Sequence, residues 1–394
     1  MSASFIIAGL LTGWSIGAGA GAGAVDGEAV GLFQPWIGVG DRSWGLAVQA
    51  PLRLEFDSGD LRSQDWDEAT DAGRVLRFFT LTGDLGDTHY DLRAGGLTAL
   101  TLGHGTLVDR YHNNTVDDHP RVGLALSLGG RRGSAQVFID QVLAAPVAGG
   151  RASTTWGKWS TFGISFVADT GVRVPRSPGG PADDGFFAGY GADLTFHLQR
   201  TRALNLDLYV EGNGIDDAGA GLHTGLKGRW KARRKWALTL LGEYMYLSKD
   251  YTWSLFDTGY LIDARTPGRS RLGVRDGAAS GGRGRVEIDY DGRLAVGVQY
   301  ANAEGPDQAD ATAWLRVSTE RLDVSAYVDH RAGPGPSESL GALGARYAIM
   351  PGLWVAGHLA RAWRTSPGPE DDIPGGLRPR WEGGITIETA FETR

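Results

Sequence analysis

Every second side chain between Trp44 and Phe56 is apolar, and this alternation is the feature that most constrains the fold. Side chains of a β-strand point alternately to the two faces of a sheet, so the segment is predicted to be a strand with one apolar face. It is longer than the about 5–6 residues of an ordinary soluble strand, and it reaches the about 9–11 residues that a strand needs to cross a bilayer. The pattern recurs down the chain. This recurrence predicts an all-β fold, a single antiparallel transmembrane β-barrel.

The connections between the predicted strands support the same fold. Counting the alternating segments predicts about 16–18 strands, a number within the known range for such barrels. Asp291-Gly292 lies between two alternating segments and is the strongest local signal for a hairpin. Short turns alternate with long polar loops, as in barrels with short periplasmic turns and long extracellular loops. One more strand near Gly171–Val174 is needed to keep consecutive strands antiparallel.

The N-terminal segment 1–24 is assigned separately, and the barrel is predicted to occupy residues 25–394. Phe5 to Leu11 is a short apolar run, and the Gly-Ala run after Ile16 offers a small-residue cleavage site. Both features are typical of a secretory signal, of which this segment would be a remnant, but the basic n-region is missing. The alternative is a Gly/Ala-rich N-terminal strand, and both assignments stay open at this point.

Composition excludes several classes of protein. The chain has no Cys, so disulfides and thiolate metal sites are excluded. Its 39 Lys and Arg against 46 Asp and Glu give a net charge of −7, which argues against nucleic acid as a partner. The mean hydropathy of −0.21 is compatible with a barrel, because only alternate strand residues face lipid. No cofactor is predicted.

Aromatic and charged side chains fall at different places on the predicted strands. Aromatic residues at strand ends are typical of the girdles at bilayer interfaces, although aromatics also favour soluble strands; they are Trp44, Tyr90, Trp159, Trp230, Trp236, Tyr300, Trp354, Trp363 and Trp381. Charges recur on the face opposite the apolar one and are predicted to line a water-filled lumen. The lumen-lining candidates are Arg53, Glu55, Asp207, Glu211, Lys227, Arg229, Glu243, Glu287, Asp289, Arg316 and Asp323.

One polar segment concentrates three of the eight His residues among carboxylates. It is predicted to be a polar loop that folds into the lumen as a constriction, with candidates His104, Asp109, Arg110, His112, Asp118 and His119. A metal site from the three His and Asp118 is one alternative, but no defined metal spacing is present. A hydrolase is the other, since a catalytic His needs a hydroxyl or carboxylate partner, yet this segment has no Ser.

Two further loops have unusual charge. An oxygen-rich loop can hold Ca²⁺, but this one lacks the EF-hand order of ligands, so a solvated loop is favoured; its acidic residues are Asp57, Asp60, Asp65, Asp67, Glu68 and Asp71. A basic turn lies between Trp230 and Trp236. It is predicted either to meet anionic lipid headgroups or to be an exposed solubilising turn; its residues are Arg229, Lys231, Arg233, Arg234 and Lys235.

The last predicted strand carries a recognisable pattern, Trp381, Gly383, Ile385, Ile387 and Phe391. It resembles the C-terminal signal of Gram-negative outer-membrane β-barrel proteins, which the assembly machinery reads. That signal usually finishes on the aromatic residue, whereas three residues follow Phe391 here. In topology, nearly the whole chain resembles a porin-like outer-membrane barrel. The resemblance implies a location in the bacterial outer membrane, among its lipids and lipopolysaccharide.

The expected function is a pore that allows passive diffusion of small polar solutes or ions, and not an enzyme. The mixed signs of the lumen charges predict weak ion selectivity. The alternative is a non-conducting structural or surface-binding barrel with a homo-oligomeric or outer-membrane complex partner. An outer-membrane hydrolase that uses the His104–His119 segment is the third.

Overall fold

A computed structural model describes most of the chain and consists almost entirely of β-strands. The described residues are 13–25, 28–67, 69–114, 121–143, 146–170, 173–175, 182–184, 186–216, 218–232, 235–260, 277–303, 309–331, 338–365 and 377–392. The helices that lie wholly within them are two short 3₁₀ helices, Ser63–Asp65 and Ala69–Arg74. In this described part of the chain, no helix is long and apolar enough to cross a membrane.

The strands follow the chain in regular order. Their bounds are β1 Gly13–Val25, β2 Glu28–Gly40, β3 Trp44–Gln49, β4 Leu52–Glu55, β5 Leu76–Leu85, β6 Thr88–Gly95, β7 Gly123–Gly129, β8 Gly133–Ile139, β9 Val147–Trp156, β10 Ser160–Asp169, β11 Arg173–Pro175, β12 Ala182–Asp184, β13 Phe187–Arg200, β14 Leu204–Ile215, β15 Ala220–Ala232, β16 Trp236–Leu247, β17 Ala279–Tyr290, β18 Leu294–Ala303, β19 Asp310–Ser318, β20 Leu322–Arg331, β21 Glu338–Met350, β22 Leu353–Thr365 and β23 Leu377–Glu392.

One large antiparallel sheet contains all of these strands except β11 and β12, which pair with each other. The sheet closes on itself because β1 pairs with β23, from Ser15 opposite Glu392 to Ala24 opposite Gly383. β3 and β4 both pair with β2 and form one interrupted strand of the barrel. Pro51 lies at the interruption, where a residue without a backbone N–H cannot donate to the ladder. The barrel therefore has 20 strands.

The expected barrel is confirmed, but the expected number of about 16–18 strands is too low. The additional strands are β1, β2 and β9, and β1 and β9 are rich in Gly, Ala or Thr and so lack a clear apolar alternation. The extra strand expected near Gly171–Val174 does not belong to the barrel, because Arg173–Pro175 pairs with β12 instead. β9 supplies the missing reversal of direction, since it pairs with β8 and β10.

The Gly/Ala-rich segment adopts the strand conformation from Gly13 onward, while residues 1–12 lie outside the described residues. Its glycines allow close packing where the barrel closes. A Cβ atom on Gly17 would lie 2.6 Å from the indole ring of Trp36 on β2. Real Cβ atoms essentially never approach that closely, so only glycine fits at this position without a shift of the wall.

The two rims of the barrel differ in the length of their connections. We call one the turn rim; its connections are 41–43, 86–87, 130–132, 157–159, 201–203, 233–235, 291–293, 319–321 and 351–352. The opposite end, the loop rim, carries the long connections. The Asp291-Gly292 hairpin is present. Its two residues have φ of 56° and 67°, as the central residues of a type I′ turn require, and the Arg293 N–H donates to the Tyr290 carbonyl at 2.9 Å.

The two faces of the wall differ in polarity. Apolar side chains on the outer face are exposed, including Ile164, Val298 and Ile385. Trp side chains surround the turn rim (Trp156, Trp159, Trp230 and Trp236), and Tyr side chains lie toward the loop rim (Tyr190, Tyr246 and Tyr300). Trp354 is an exception to the expected girdle, because it lies under the Arg346 guanidinium, 4.2 Å from ring centroid to Cζ, among inward side chains. The side chains of Trp363 and Trp381 lie outside the described residues.

Candidate functional site: a cover folded into the lumen

Two connections of the loop rim fold into the barrel instead of projecting from it. Residues 96–114 follow β6, and residues 248–260 follow β16. Val108 and Phe256 form a parallel bridge, and the Phe256 N–H donates to the Leu107 carbonyl at 3.2 Å. We call the two segments together the cover. It has an apolar core with neighbouring strand ends, which contains Leu102, Leu107, Val108, Tyr111, Phe187, Ile215, Leu247, Tyr251, Leu255, Phe256 and Ala303.

Asp109 is the main polar anchor of the cover. Its Oδ2 accepts hydrogen bonds from Arg285 at 2.6 Å and Gln299 at 3.1 Å, and it lies 3.5 Å from Nη1 of Arg283. Burial by itself raises the pKa of Asp109, but the positive charges of Arg285 and Arg283 outweigh burial and hold its pKa below the ordinary value. The carboxylate is therefore charged and joins the cover to β17 and β18.

His104 and its neighbours contact β13, β14 and β17. The His104 ring stacks on Tyr209 with 3.8 Å between centroids, and its Nε2 lies 3.0 Å from the hydroxyl oxygen of Thr195. The Arg283 Nη2 donates to the His104 carbonyl at 2.8 Å. The Thr106 hydroxyl donates to Glu211. The first half of the cover is thus fixed to the wall by side chains that the lumen would otherwise expose.

The second half of the cover reaches β19 and β20. The Arg110 guanidinium lies over the Trp314 ring, 4.1 Å from its centroid, and the His112 ring stacks on Tyr327 at 5.2 Å. Burial lowers the pKa of His112 to about 3, so its imidazole is neutral near pH 7. Tyr111 also packs on Phe138 of β8, with 5.7 Å between ring centroids, and the Tyr260 hydroxyl donates to Asp169 of β10 at 2.6 Å. The cover therefore contacts the inner wall from β8 to β20.

The backbone of the cover is locally strained. Positive φ angles at residues other than glycine occur at five described positions, and four of them lie in the cover: Ala99, Arg110, Asp250 and Ser254. Such conformations cost roughly 1–3 kcal/mol each and persist only where the surroundings over-determine them. The contacts of the cover with the wall, described above, hold the backbone in these conformations.

The structure places the eleven lumen-lining candidates on the inward face, by strand register and by contacts. Glu211 and Glu243 lie under the cover; Glu243 bonds Arg283 at 2.8 Å and approaches His223 at 3.2 Å. Arg53 pairs with Asp65 at 3.0 Å and Asp207 with His197 at 2.7 Å. The candidates Glu55, Lys227, Arg229, Glu287, Asp289, Arg316 and Asp323 share the inward register on their strands. Their roles toward a solute stay predictions.

Of the six constriction candidates, four lie in the cover: His104, Asp109, Arg110 and His112. Asp118 and His119 lie outside the described residues. The wall partners of the cover, chiefly Arg283, Arg285 and Tyr209, were not predicted from the sequence. The pattern Gly282-Arg283-Gly284-Arg285 continues the alternation of Val286 and Ile288, and it was the available signal that both arginines lie on the inward face of a strand. The glycines obscure this signal, because they place no apolar side chain on the outward face.

Two alternative chemistries have little support in the geometry. Among described residues, no group of three or more His, Asp or Glu is placed to share a metal ion. Asp193 lies 3.6 Å from Nε2 of His104, the same nitrogen that contacts Thr195, whereas a catalytic triad places hydroxyl and carboxylate on opposite nitrogens. In the acidic loop, the Asp65 carboxylate pairs with Arg53, Arg62 and Arg74, so it is already neutralised by arginines.

A closed barrel with an apolar exterior, aromatic side chains near both rims and charged side chains inside satisfies its backbone in lipid without exposing an edge. These features define the class: the protein is a transmembrane β-barrel of the bacterial outer-membrane type, with short turns at one rim and an infolded cover at the other.

Comparison with known proteins gives similarity of overall fold only. No family model matches the sequence, and no curated protein matches it. Among solved structures, Pseudomonas aeruginosa OpdL has a TM-score of 0.41 at 11% identity, over 97% of this chain and 98% of that one. P. aeruginosa OccK2, solved with glucuronate, has a TM-score of 0.38 at 11% identity, over 97% and 96%. Escherichia coli Wzi, a carbohydrate-binding β-barrel, has a TM-score of 0.39 at 12% identity, over 97% and 85%.

Proposed function

We propose that the protein is an outer-membrane channel for passive diffusion of small polar solutes or ions, with the cover as its constriction. The observation that supports this most directly is the charged inner wall beyond the reach of the cover. Arg229 and Arg316 are exposed there, although their strand register directs them inward. Exposed charges inside a closed barrel require water around them, because an unpaired charge in a dry interior is very costly.

The constriction in this proposal is formed on one side only. The cover contacts the wall from β8 to β20, and its own connections start from β6 and β16. The opposite wall carries a second polar group, in which Arg346 contacts Glu388 at 3.2 Å and Arg77 lies 5.0 Å from the Trp36 ring centroid. A solute would pass between the anchored cover and these side chains. Charges of both signs line both sides, so weak ion selectivity is expected.

Single-channel conductance of the refolded protein in a planar bilayer tests the proposal. Steady stepwise currents are expected, with cation and anion permeabilities within a few-fold of each other by the mixed-charge argument. Arg110→Ala removes a guanidinium of the cover without touching the Asp109 anchor, so it is expected to raise the conductance. The matched control is Arg131→Ala, which removes an exposed arginine of the turn rim outside the lumen and should leave the conductance unchanged.

A second function is favoured by one specific observation, the apolar core of the cover. Val108, Tyr111 and Phe256 are fully buried, so the cover has a well-packed core of the kind that a plug domain inside a barrel would have. A plugged barrel would act as a structural or surface-binding protein with an outer-membrane partner. A correctly folded barrel that stays electrically silent, both as wild type and as Arg110→Ala, would support this function and contradict the channel.

A further inference from the structure

The turn rim carries a ring of positive charge that the channel function does not use. Its nine connections contain ten Lys or Arg and only four Asp or Glu. We call the eight of these residues that the structure describes the basic crown: Arg42, Arg131, Arg132, Lys158, Arg202, Lys235, Arg293 and Arg321. All eight are exposed, whereas Arg233 and Arg234 lie outside the described residues. They extend the basic turn predicted from the sequence to the whole rim.

The connections that join strands at the opposite end have the reverse charge balance in the sequence, with the cover included. In the sequence, the connections at the loop rim contain 24 Asp or Glu and 11 Lys or Arg. The asymmetry arises because consecutive connections alternate between the rims, so residues far apart in the chain collect at the same end. A barrel with an overall net charge of −7 therefore has one basic end.

Ion pairs within the turn rim neutralise little of this charge. Arg131 lies 3.7 Å from Asp87, and both side chains are exposed. Lys235 lies 3.7 Å from Asp291 and is likewise exposed. Exposed pairs of this kind are weak in water and leave the cations available to another anion.

The basic crown lies at the level of an aromatic belt. Lys158 stands between Trp156 and Trp159, whose side chains are 65% and 72% exposed on the barrel surface. Lys235 precedes Trp236, and its Nζ lies 5.9 Å from the centroid of the Tyr290 ring. Trp and Tyr settle at the headgroup level of a bilayer, so the neighbouring ammonium and guanidinium groups lie at the same depth as lipid phosphates.

The distribution of the crown around the barrel favours lipid over a protein partner. Seven of the nine turns carry at least one basic residue; only 86–87 and 351–352 do not. A protein would contact one sector of the rim, whereas lipid surrounds the whole circumference. We infer that the basic crown binds the phosphate headgroups of anionic phospholipids in the leaflet at the turn rim.

Quenching of Trp fluorescence by brominated lipid measures this binding in the intact protein. Of six described Trp side chains classed as exposed, five lie at the turn rim: Trp14, Trp156, Trp159, Trp230 and Trp236. The full chain is refolded into phosphatidylcholine vesicles that contain either dibrominated phosphatidylglycerol or dibrominated phosphatidylcholine at equal mole fraction. Each basic residue near an anionic surface contributes about 1 kcal/mol, so an about 3- to 5-fold preference for the anionic lipid is expected. It should weaken at 0.5 M salt through screening, since the Debye length falls to a few ångströms (about 4).

The test variant replaces one exposed cation on each of four turns: Arg131→Gln, Lys158→Gln, Arg202→Gln and Arg321→Gln. The preference is expected to fall to about 1.5-fold or less, because the variant removes four of the eight cations of the basic crown and lowers the net charge of the nine connections from +6 to +2. The matched variant Asp87→Asn with Glu320→Gln removes two negative charges from the same rim. It should keep or raise the preference for the anionic lipid. Unchanged quenching by brominated phosphatidylcholine shows that each variant is inserted. Equal quenching of the wild type by both lipids would overturn the inference and leave an acidic periplasmic protein as the candidate partner of the rim.

Discussion

Replacing Asp109 by Asn should release the cover from the wall. The substitution keeps the shape of the side chain but removes the negative charge that faces Arg285 at 2.6 Å and Arg283 at 3.5 Å. Arg283 is fully buried, so the variant leaves a buried guanidinium with one carboxylate, Glu243, in place of two. Removing one member of a buried ion pair typically costs about 3–5 kcal/mol. We take the lower end, because the Arg285 side chain is 17% exposed and water can solvate it.

The absence of native Cys makes the opening of the cover measurable. Val108→Cys introduces a single thiol at a position that is 0% exposed, and Cys packs as a small apolar residue. A thiol reagent labels it only when the cover opens, so the labelling rate reports the opening equilibrium. A loss of about 3 kcal/mol corresponds to an about 10²-fold faster labelling rate, at 1.36 kcal/mol for each factor of ten.

The matched control is Asp207→Asn. Asp207 is also an inward carboxylate, but its 2.7 Å partner is His197 on the neighbouring strand and not the cover. Its removal should change the labelling rate of Val108→Cys by less than about threefold, as expected for a distant, independent site. An Asp109→Asn rate equal to that of the Asp207 control would refute the anchoring role of Asp109.

Three further outcomes follow from the packing of the cover and of the seam. His112 has a pKa of about 3 against an ordinary value of 6.5, so the folded cover binds fewer protons than the open one. The stability of the cover should therefore fall as pH drops from 6.5 toward 3. His112→Gln should flatten this pH dependence, measured as labelling of Val108→Cys by an acid-tolerant pyridyl disulfide. Leu107→Ala removes a side chain that is 2% exposed and should destabilise the cover by about 2–5 kcal/mol, seen as faster labelling with normal barrel insertion. Gly17→Val places atoms within the Trp36 ring and should impair barrel closure, seen as loss of folded protein on a heat-modifiability gel. The control Gly59→Val has nothing within 4 Å and should affect closure little, despite its strained φ of 76°.

Alternation in the sequence predicted the strands whose outer face is rich in large apolar residues. The strand from Trp44, the Asp291-Gly292 hairpin and the alternation of short and long connections are all present. The Gly/Ala-rich segment that became β1 was left open between a strand and a signal remnant, and β9 was not predicted. In both strands small or polar residues leave little difference in hydrophobicity between the two faces. Cross-strand hydrogen bonding and closure against β2 and β23 hold β1 in place, and neither is visible in a local pattern.

For a similar reason, the sequence indicated only one of the two segments that form the cover. Residues 103–114 combine His, Asp and Arg, and their composition predicted a loop that enters the lumen. Residues 248–260 contain Tyr251, Trp253, Leu255 and Phe256, which resemble an ordinary long loop until Phe256 pairs with Val108. That pairing joins two segments that are far apart in the chain, and no local spacing encodes it.

Strand register also decides which lumen charges are available to a solute. Glu211 and Glu243 lie at the level of the cover and are already bonded to Thr106 and Arg283. Arg229, Asp289 and Arg316 lie within a few residues of the turn rim, beyond the contacts of the cover. A charge that is paired in a dry contact cannot stabilise a passing ion, whereas a charge in water can. In the proposed channel, the lumen charges that act on a solute are therefore expected mainly on the turn-rim side of the cover. The fields of neighbouring cations and anions largely cancel there, and physiological salt screens the remainder beyond a Debye length of about 8 Å.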